Sequence, residues 1–235
     1  MNGRLGPRER TGSWATLTEH PLDVLVVGGG VTGAGAALDA ATRGLRVGLV
    51  EARDLASGTS SRSSKLFHGG VRYLEQLDFS LVREALRERE LMLTRLAPHL
   101  VKPVPFLYPL KGLGWERPYV TAGLTLYDNL GGANLLPRHR HLSRRGARSI
   151  APGLRPDALV GAVQYWDAQA DDARHTLTVA RTAARYGAVV RTSTELVDLV
   201  RDGGRVVGAR IRDVETDEVT TVRASSVVLC TGVWT

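Results

Sequence analysis

A chain of 235 residues with 43% hydrophobic and 23% charged residues is large enough to bury a substantial core, which excludes a disordered polypeptide. Its single cysteine, Cys230, excludes an internal disulfide framework, and no Cys/His spacing suits a structural zinc, so no metal site is expected. A formal charge of +7 admits phosphate-bearing partners, whether anionic lipid, nucleic acid or a phosphorylated substrate, without choosing among them.

Residues 1 to 20 are polar, arginine-bearing and aperiodic, so the sequence predicts a flexible leader that lacks the apolar stretch of a signal peptide. From Leu22 the texture changes. Asp23-Val24-Leu25-Val26-Val27 is a short β-branched run ended by glycines, which predicts a buried parallel strand. Val31 to Arg43 predicts a helix whose small residues, Ala34, Gly35, Ala36, Ala37, Ala40 and Ala41, let it lie close to a sheet, with Gly44 as its stop. Arg46 to Glu51 predicts the second strand. Ala52 to Gly70 is a serine- and glycine-dense loop far longer than α/β connections usually are, which marks it as functional. Phe79 to Leu96 predicts an amphipathic helix. Between Pro98 and Pro156 repeated prolines and glycines predict short helices and loops rather than regular sheet. Asp171 or Asp172 caps a helix expected to run to Tyr186, with Gly187 as its stop and Ala188 to Thr192 as a strand. Glu195 to Val200 and Arg205 to Arg212 flank Asp202-Gly203-Gly204, a hairpin signal. Val219 to Ala224 predicts a third antiparallel strand, and Ser226 to Cys230 is a last apolar run. No run reaches the length of a membrane span, and a reducing cytoplasm is the expected location.

Gly28-Gly29-Gly30-Val31-Thr32-Gly33 satisfies G-x-G-x-x-G, a weak signal alone among 26 glycines but a strong one between a predicted strand and a predicted helix. Gly28 permits the tight turn, Gly30 lacks a side chain where backbone must approach a pyrophosphate, and Gly33 lets the helix sit close to the strand. The helix amino end offers N–H groups and a partial positive charge to phosphates. Glu51 closes the next strand about twenty residues on, where a carboxylate accepts hydrogen bonds from an adenosine ribose. The expected ligand is a dinucleotide, and these residues do not separate FAD from NAD.

The segment Gly58-Thr59-Ser60-Ser61-Arg62-Ser63-Ser64-Lys65-Leu66-Phe67-His68-Gly69-Gly70-Val71-Arg72-Tyr73-Leu74-Glu75 resembles the signature of the flavin-linked glycerol-3-phosphate dehydrogenases. Further stretches match in order, including Leu81 to Leu86, Glu88-Arg89-Glu90, Leu96 to Leu100, Tyr127-Asp128, Trp166 to Gln169 and Asp171 to Arg174, so the similarity covers about residues 22 to 235. The resemblance implies FAD as cofactor. It also implies an α/β fold, a Rossmann-like FAD-binding domain of the glutathione-reductase/D-amino-acid-oxidase type with an antiparallel β-meander and part of a substrate domain. Members of the family are considerably longer, so residues 21 to 235 are expected to form one incomplete oxidoreductase domain. Within it, residues 21–78 hold the βαβ unit and serine-rich FAD loop, 79–170 a helical and irregular region with part of the substrate site, and 171–235 a helix, the meander and a return strand.

By the same resemblance the serine-rich loop and the Lys65 to Gly70 segment wrap the FAD pyrophosphate and approach the isoalloxazine ring. Thr59, Ser60 and Ser64 would donate to phosphate oxygens, Lys65 would add a point charge, and Gly69 with Gly70 would let backbone lie close to a flat ring. Arg72 is expected to grip the substrate phosphate with its guanidinium fork, assisted by the Tyr73 hydroxyl; the alternative for Arg72 is a surface ion pair with Glu75. His68 is expected to contact the flavin, with proton transfer or a structural hydrogen bond as alternatives, and His68 and Arg72 are the catalytic candidates. Thr231-Gly232 resembles a family segment that passes near the cofactor, which makes Gly232 a candidate contact, although Leu229-Cys230 stand where Asn-Ala is usual. His175, where the family commonly has leucine, reads as a tolerated core or surface residue.

The implied activity is oxidation of sn-glycerol 3-phosphate to dihydroxyacetone phosphate by hydride transfer to flavin, with electrons passed to a quinone or other acceptor. A related flavoenzyme acting on an amine or amino acid is one alternative, and a non-catalytic remnant or basic module is another. Arg138-His139-Arg140-His141 with Arg144, Arg145 and Arg148 motivates the basic module, but a charge run is usually a solvated face, so no specific nucleic acid is expected. Peripheral attraction to an anionic membrane surface, on the inner face of the cell membrane, fits the quinone-linked family better.

Overall fold

The apolar, β-branched runs become strands in the computed structural model, which describes residues 3–74, 76–112, 114–130 and 136–234, leaving out the side chains of Val71, Arg72 and Pro156. In chain order, helix α1 (Pro7–Glu19) precedes β1 (Leu22–Val27), α2 (Val31–Thr42) and β2 (Val47–Val50). A 3-10 turn at Thr59–Ser61 leads to β3 (Leu66–Phe67), the short α3 (Val71–Leu74) and α4 (Phe79–Leu91), which runs on into a wider turn at Met92–Leu96. Next come β4 (Val101–Leu110), α5 (Glu116–Leu130), β5 (Arg140–Ser143), α6 (Arg144–Ile150) and β6 (Gly161–Ala170). They are followed by α7 (Asp172–Arg185), β7 (Val189–Arg191), β8 (Thr194–Asp202), β9 (Arg205–Asp213) and β10 (Val219–Leu229). The chain divides into two units, Met1–Ser63 with Asp171–Thr235, and Ser64–Ala170.

The first unit is a six-stranded sheet in the order β7-β2-β1-β10-β9-β8. β7, β2, β1 and the later half of β10 run parallel, while β8, β9 and the earlier half of β10 form an antiparallel meander. The two runs predicted on either side of Ser225 are therefore one strand: Val219 to Arg223 pairs with β9, and Ala224 to Leu229 pairs with β1. One face of the sheet is covered by α2 and α7, whose Ala34, Ala37, Ala41, Ala180 and Ala183 pack on Val26, Val47 and Leu49. Small side chains are what allow two helices to share so narrow a strip of sheet.

The other face corrects the expectation of a flexible leader. Pro7–Glu19 is a helix, started by Pro7 and by the Gly6 N–H donating to Glu9 Oε2 at 3.1 Å. Its Leu17 is fully buried with Leu25, Val27, Val50, Ile211 and Val222, and Trp14 packs beside it. Arg10 and Arg191 both pair with the buried Asp213, and the Arg191 guanidinium lies 4.9 Å from the centre of the Trp14 ring. The order comes from partners near the far end of the sequence, so no local periodicity announces it.

The second unit corrects the reading of residues 98 to 156 as short helices and loops. β4 is ten residues long and α5 is fifteen. β4 pairs along its whole length with β6, and β3 and β5 take the other side of β6, so β4 is an edge strand. Pro103, Pro105 and Pro109 share one parity, so their missing N–H groups all lie on one side of β4, and among the described residues no strand pairs with β4 on the side away from β6. Proline breaks a central strand, and here it marks an edge.

Candidate functional site

The turn from β1 into α2 is closely packed backbone. Gly28 sits at φ +111, and a Cβ there would stand 2.3 Å from the Cys230 carbonyl oxygen. A Cβ on Gly33 would stand 1.9 Å from the Gly28 carbonyl oxygen, so the helix rests directly on the turn. The Gly28 N–H donates to Val50 at 2.8 Å, tying the corner to β2. α2 begins at this point with N–H groups that have no acceptor inside the helix. One of them, from Val31, donates to Ser60 Oγ at 2.9 Å, and the same oxygen lies 3.2 Å from where a Gly30 Cβ would be. The hydroxyl oxygen occupies a position suited to an anionic oxygen.

Glu51 leaves β2 beside this corner. Its Oε2 accepts the Gly29 N–H at 2.6 Å and its Oε1 accepts the Arg53 N–H at 2.8 Å. These bonds fix the carboxylate and leave each oxygen a further lone pair for a hydroxyl donor. The serine-rich segment is held in place by its own contacts. Arg62 donates to the carbonyls of Ser57 and Gly58, and the Trp234 ring lies over Gly58 with Arg53 5.7 Å from its centre. The Ser63 N–H and hydroxyl both donate to Asp172 Oδ2, at 2.9 and 2.7 Å, which fastens the loop to the start of α7. Thr59 is exposed and Ser60 half-buried, both in the 3-10 turn, and Gly232 at φ +66 opens a second 3-10 turn after β10. The structure thus brings Gly28, Gly30, Gly33, Glu51 and Ser60 to one corner. It also shows the anchors Arg62 and Asp172, whose tethering roles sequence reasoning missed: Arg62 is one residue of the matching segment, and Asp172 reads only as a possible cap of α7.

In the second unit Lys65 is half-buried with a left-handed backbone (φ +60), and its carbonyl accepts the Ala170 N–H at 2.9 Å. Ser64 and His68 are exposed. Tyr73 packs against Leu74, Val82, Leu86 and Tyr127, with its ring over Gly70. Arg72 lies on α3, but its side chain is outside the described residues, as is the whole of Glu75, so their expected ion pair is too. Gly69 is buried, and its N–H donates to Tyr127 Oη at 3.0 Å and, more weakly, to Asp167 Oδ1 at 3.3 Å. Arg89 Nη1 donates to both of these oxygens at 2.9 Å. Burial first, then the neighbouring Asp167 charge, pushes the Tyr127 hydroxyl well above the ordinary tyrosine pKa, so it stays protonated. Arg89, Tyr127 and Asp167 all stand in stretches that match the family. Their convergence on one amide is a tertiary fact with no sequence spacing to announce it.

The basic run is partly committed to its own unit. His139 pairs with Asp128 at 2.7 Å, Arg140 donates to Gln164 at 2.5 Å and Arg144 to the Leu159 carbonyl at 2.9 Å. His175, half-buried on α7, is held below the ordinary histidine pKa by that burial. Among the described residues no cluster could hold a metal ion, and no helix is long and apolar enough to cross a membrane.

Comparison with known proteins places these features in a lineage. The chain is 64% identical to a glycerol-3-phosphate dehydrogenase of Mycobacterium leprae, over 98% of this chain and 40% of that protein. It is 47% identical to the human mitochondrial glycerol-3-phosphate dehydrogenase, over 97% of this chain and 33% of that protein. The chain therefore spans well under half the length of these relatives. Among solved structures, the glycerol-3-phosphate dehydrogenase of Bacillus halodurans complexed with FAD matches with a TM-score of 0.72 and 34% identity, over 96% of this chain and 37% of that one. The model of the FAD dependent oxidoreductase family matches residues 23–235, a span that takes in the glycine corner, Glu51 and the serine-rich segment, and the chain belongs to that family.

Proposed function

We propose that this chain carries the dinucleotide-binding part of a flavoenzyme that holds FAD and oxidises sn-glycerol 3-phosphate to dihydroxyacetone phosphate, with the electrons passed to a quinone or another acceptor. The observation that carries the reading is the corner between β1 and α2, where Gly28 and Gly33 leave no room for a Cβ and the helix amino end meets a hydroxyl oxygen. Bare backbone, helix-end N–H groups and a fixed carboxylate are the donor and acceptor set that a diphosphate and its ribose require. The substrate assignment is supported by what the relatives are named for.

On this reading Gly28, Gly30 and Gly33 lie along the diphosphate, and Glu51 accepts from ribose hydroxyls. Thr59, Ser60 and Ser64 offer hydroxyls to the phosphates, and Lys65 offers charge. His68, Gly69 and Gly232 line the rest of the cofactor. Arg72 grips the substrate phosphate with Tyr73 beside it, and Arg72 with His68 forms the catalytic pair. FAD supplies the redox step when bound, taking up the hydride from C2 of the substrate. The +7 charge supports attraction of a phosphorylated substrate and a peripheral position on anionic membrane at the cytoplasmic face.

The test is spectroscopic. The intact protein should purify yellow, and its flavin band should bleach anaerobically on adding glycerol 3-phosphate but not amino acids. Colourless protein that takes up no added FAD overturns the reading. Bleaching by amino acids alone moves the assignment to an amine or amino-acid oxidoreductase.

A further inference from the structure

We propose that Arg89, Tyr127 and Asp167 are positioning residues that grip the Gly69 N–H and thereby set where His68 stands. The inference rests on the flavoenzyme reading, in which His68 faces the cofactor.

The backbone before His68 is weakly held by sheet alone. β3 has two residues, Leu66 and Phe67, paired with Gln169 and Ala168 of β6, and the ladder stops there. The next residue along β6 is Asp167, which continues the attachment by side chain instead of backbone. Its Oδ1 accepts from Arg89 at 2.9 Å, from its neighbour Ala168 N–H at 3.1 Å and from Gly69 N–H at 3.3 Å. Its Oδ2 accepts the Tyr127 hydroxyl at 3.3 Å, while that hydroxyl oxygen accepts from Gly69 at 3.0 Å and Arg89 at 2.9 Å. The segment bearing the exposed His68 is thus pinned by one amide to a strand and a helix of the same unit, and Arg89 of a second helix holds both acceptors in place.

The composition of the cluster argues against packing as its purpose. The Asp167 and Arg89 side chains are only 6% and 12% exposed, and Tyr127 is 2% exposed. Burying a carboxylate, a guanidinium and a hydroxyl costs more than burying apolar groups of equal size, and the return from such a network is geometric definition. Here the bonds converge on a single loop amide. Gly69 is built for that grip, because a Cβ would stand 2.2 Å from Leu86 Cδ2 and 2.4 Å from Tyr127 Oη. Its glycine identity thus has a sufficient cause within its own unit, beside the flat-ring contact expected from sequence.

The test uses Tyr127→Phe, which removes one oxygen with almost no change of volume, and Asp167→Asn as a second variant, both in the intact protein. Amide exchange of the peptide covering residues 66–70 should quicken in both variants while exchange in α2 and β1 stays as in the parent. With FAD content retained, the anaerobic rate of flavin reduction by glycerol 3-phosphate should fall by roughly ten- to a hundredfold, the scale set by misplacing a reacting group by about 1 Å. The KM for substrate should move far less than kcat. A lower melting temperature with unchanged flavin reduction and unchanged local exchange would mean a purely structural cluster and overturn the proposal. Parent protein that takes up no FAD is a different failure, that of the flavoenzyme reading, and it is seen before either variant is made.

Discussion

Gly33 has no spare volume, because its Cα hydrogen points at a carbonyl oxygen that any Cβ would reach at 1.9 Å. Gly33→Ala must therefore lift α2 off the turn, and overpacking of this kind costs about 1–3 kcal/mol. The variant should unfold at lower denaturant concentration than the parent, and FAD uptake followed by absorbance should fall far more than that loss of stability explains. Gly35→Ala is the control, since a Cβ there meets nothing within 4 Å and the helix gains propensity. The close approach at Gly33 was legible in the sequence from the G-x-G-x-x-G spacing, whereas Gly35, also read there as lying close to the sheet, has open space beside it. The role of Arg89, Tyr127 and Asp167 was not legible. These residues meet across 38 and 78 positions of sequence, and nothing in an arginine between two glutamates separates a buried clasp from a solvated face.

Helix α1 makes the same point for a whole segment. Its anchors to Asp213 bridge 203 positions, so its sequence reads as a leader and its structure as part of the core. Leu17 is fully buried, and Leu17→Ala should cost about 2–5 kcal/mol by loss of transfer energy and by the cavity left. A true leader would tolerate the change with no shift in the melting curve. Asp213 adds a pH dependence. Burial pushes its carboxyl up, but the Glu215 N–H, the hydrogen bond from Arg191 and the charges of Arg10 and Arg191 outweigh burial and hold it below the usual aspartate value. Its folded pKa is thus lower than its unfolded one, so its contribution is complete above about pH 4 and is lost as pH falls through the folded value. Asp213→Asn should destabilise by about 3–5 kcal/mol at neutral pH, because it leaves the buried Arg191 guanidinium without its carboxylate while Arg10 keeps Glu215, and should flatten the acid limb of the stability curve. An unchanged acid limb would show that the pair carries little of that stability. The strand β4 was hidden for another reason: proline is a reliable breaker only where both edges of a strand are paired.

The net charge of +7 acts on the molecule as a field and carries no information about fold. Co-sedimentation with anionic vesicles should accordingly be strong at low salt and fall steeply by about 0.5 M, where the screening length has shrunk to about 4 Å; binding that survives high salt would point to apolar insertion instead. Cofactor binding makes the sharper demand. A ligand that binds the folded chain and not the unfolded one stabilises it by about 2.7 kcal/mol at a hundredfold excess over its Kd. The glycine corner and Glu51 lie in the unit formed by Met1–Ser63 and Asp171–Thr235, so thermal unfolding followed by a probe in that unit, such as Trp14 fluorescence, should move upward as FAD is added. The size of the shift should grow with the logarithm of FAD concentration, and FMN, which lacks the diphosphate and adenosine, should give little. Gly33→Ala should abolish the dependence while leaving a cooperative transition. Equal shifts from FMN and FAD would mean that the flavin ring alone is recognised, and that the bare corner between β1 and α2 serves packing.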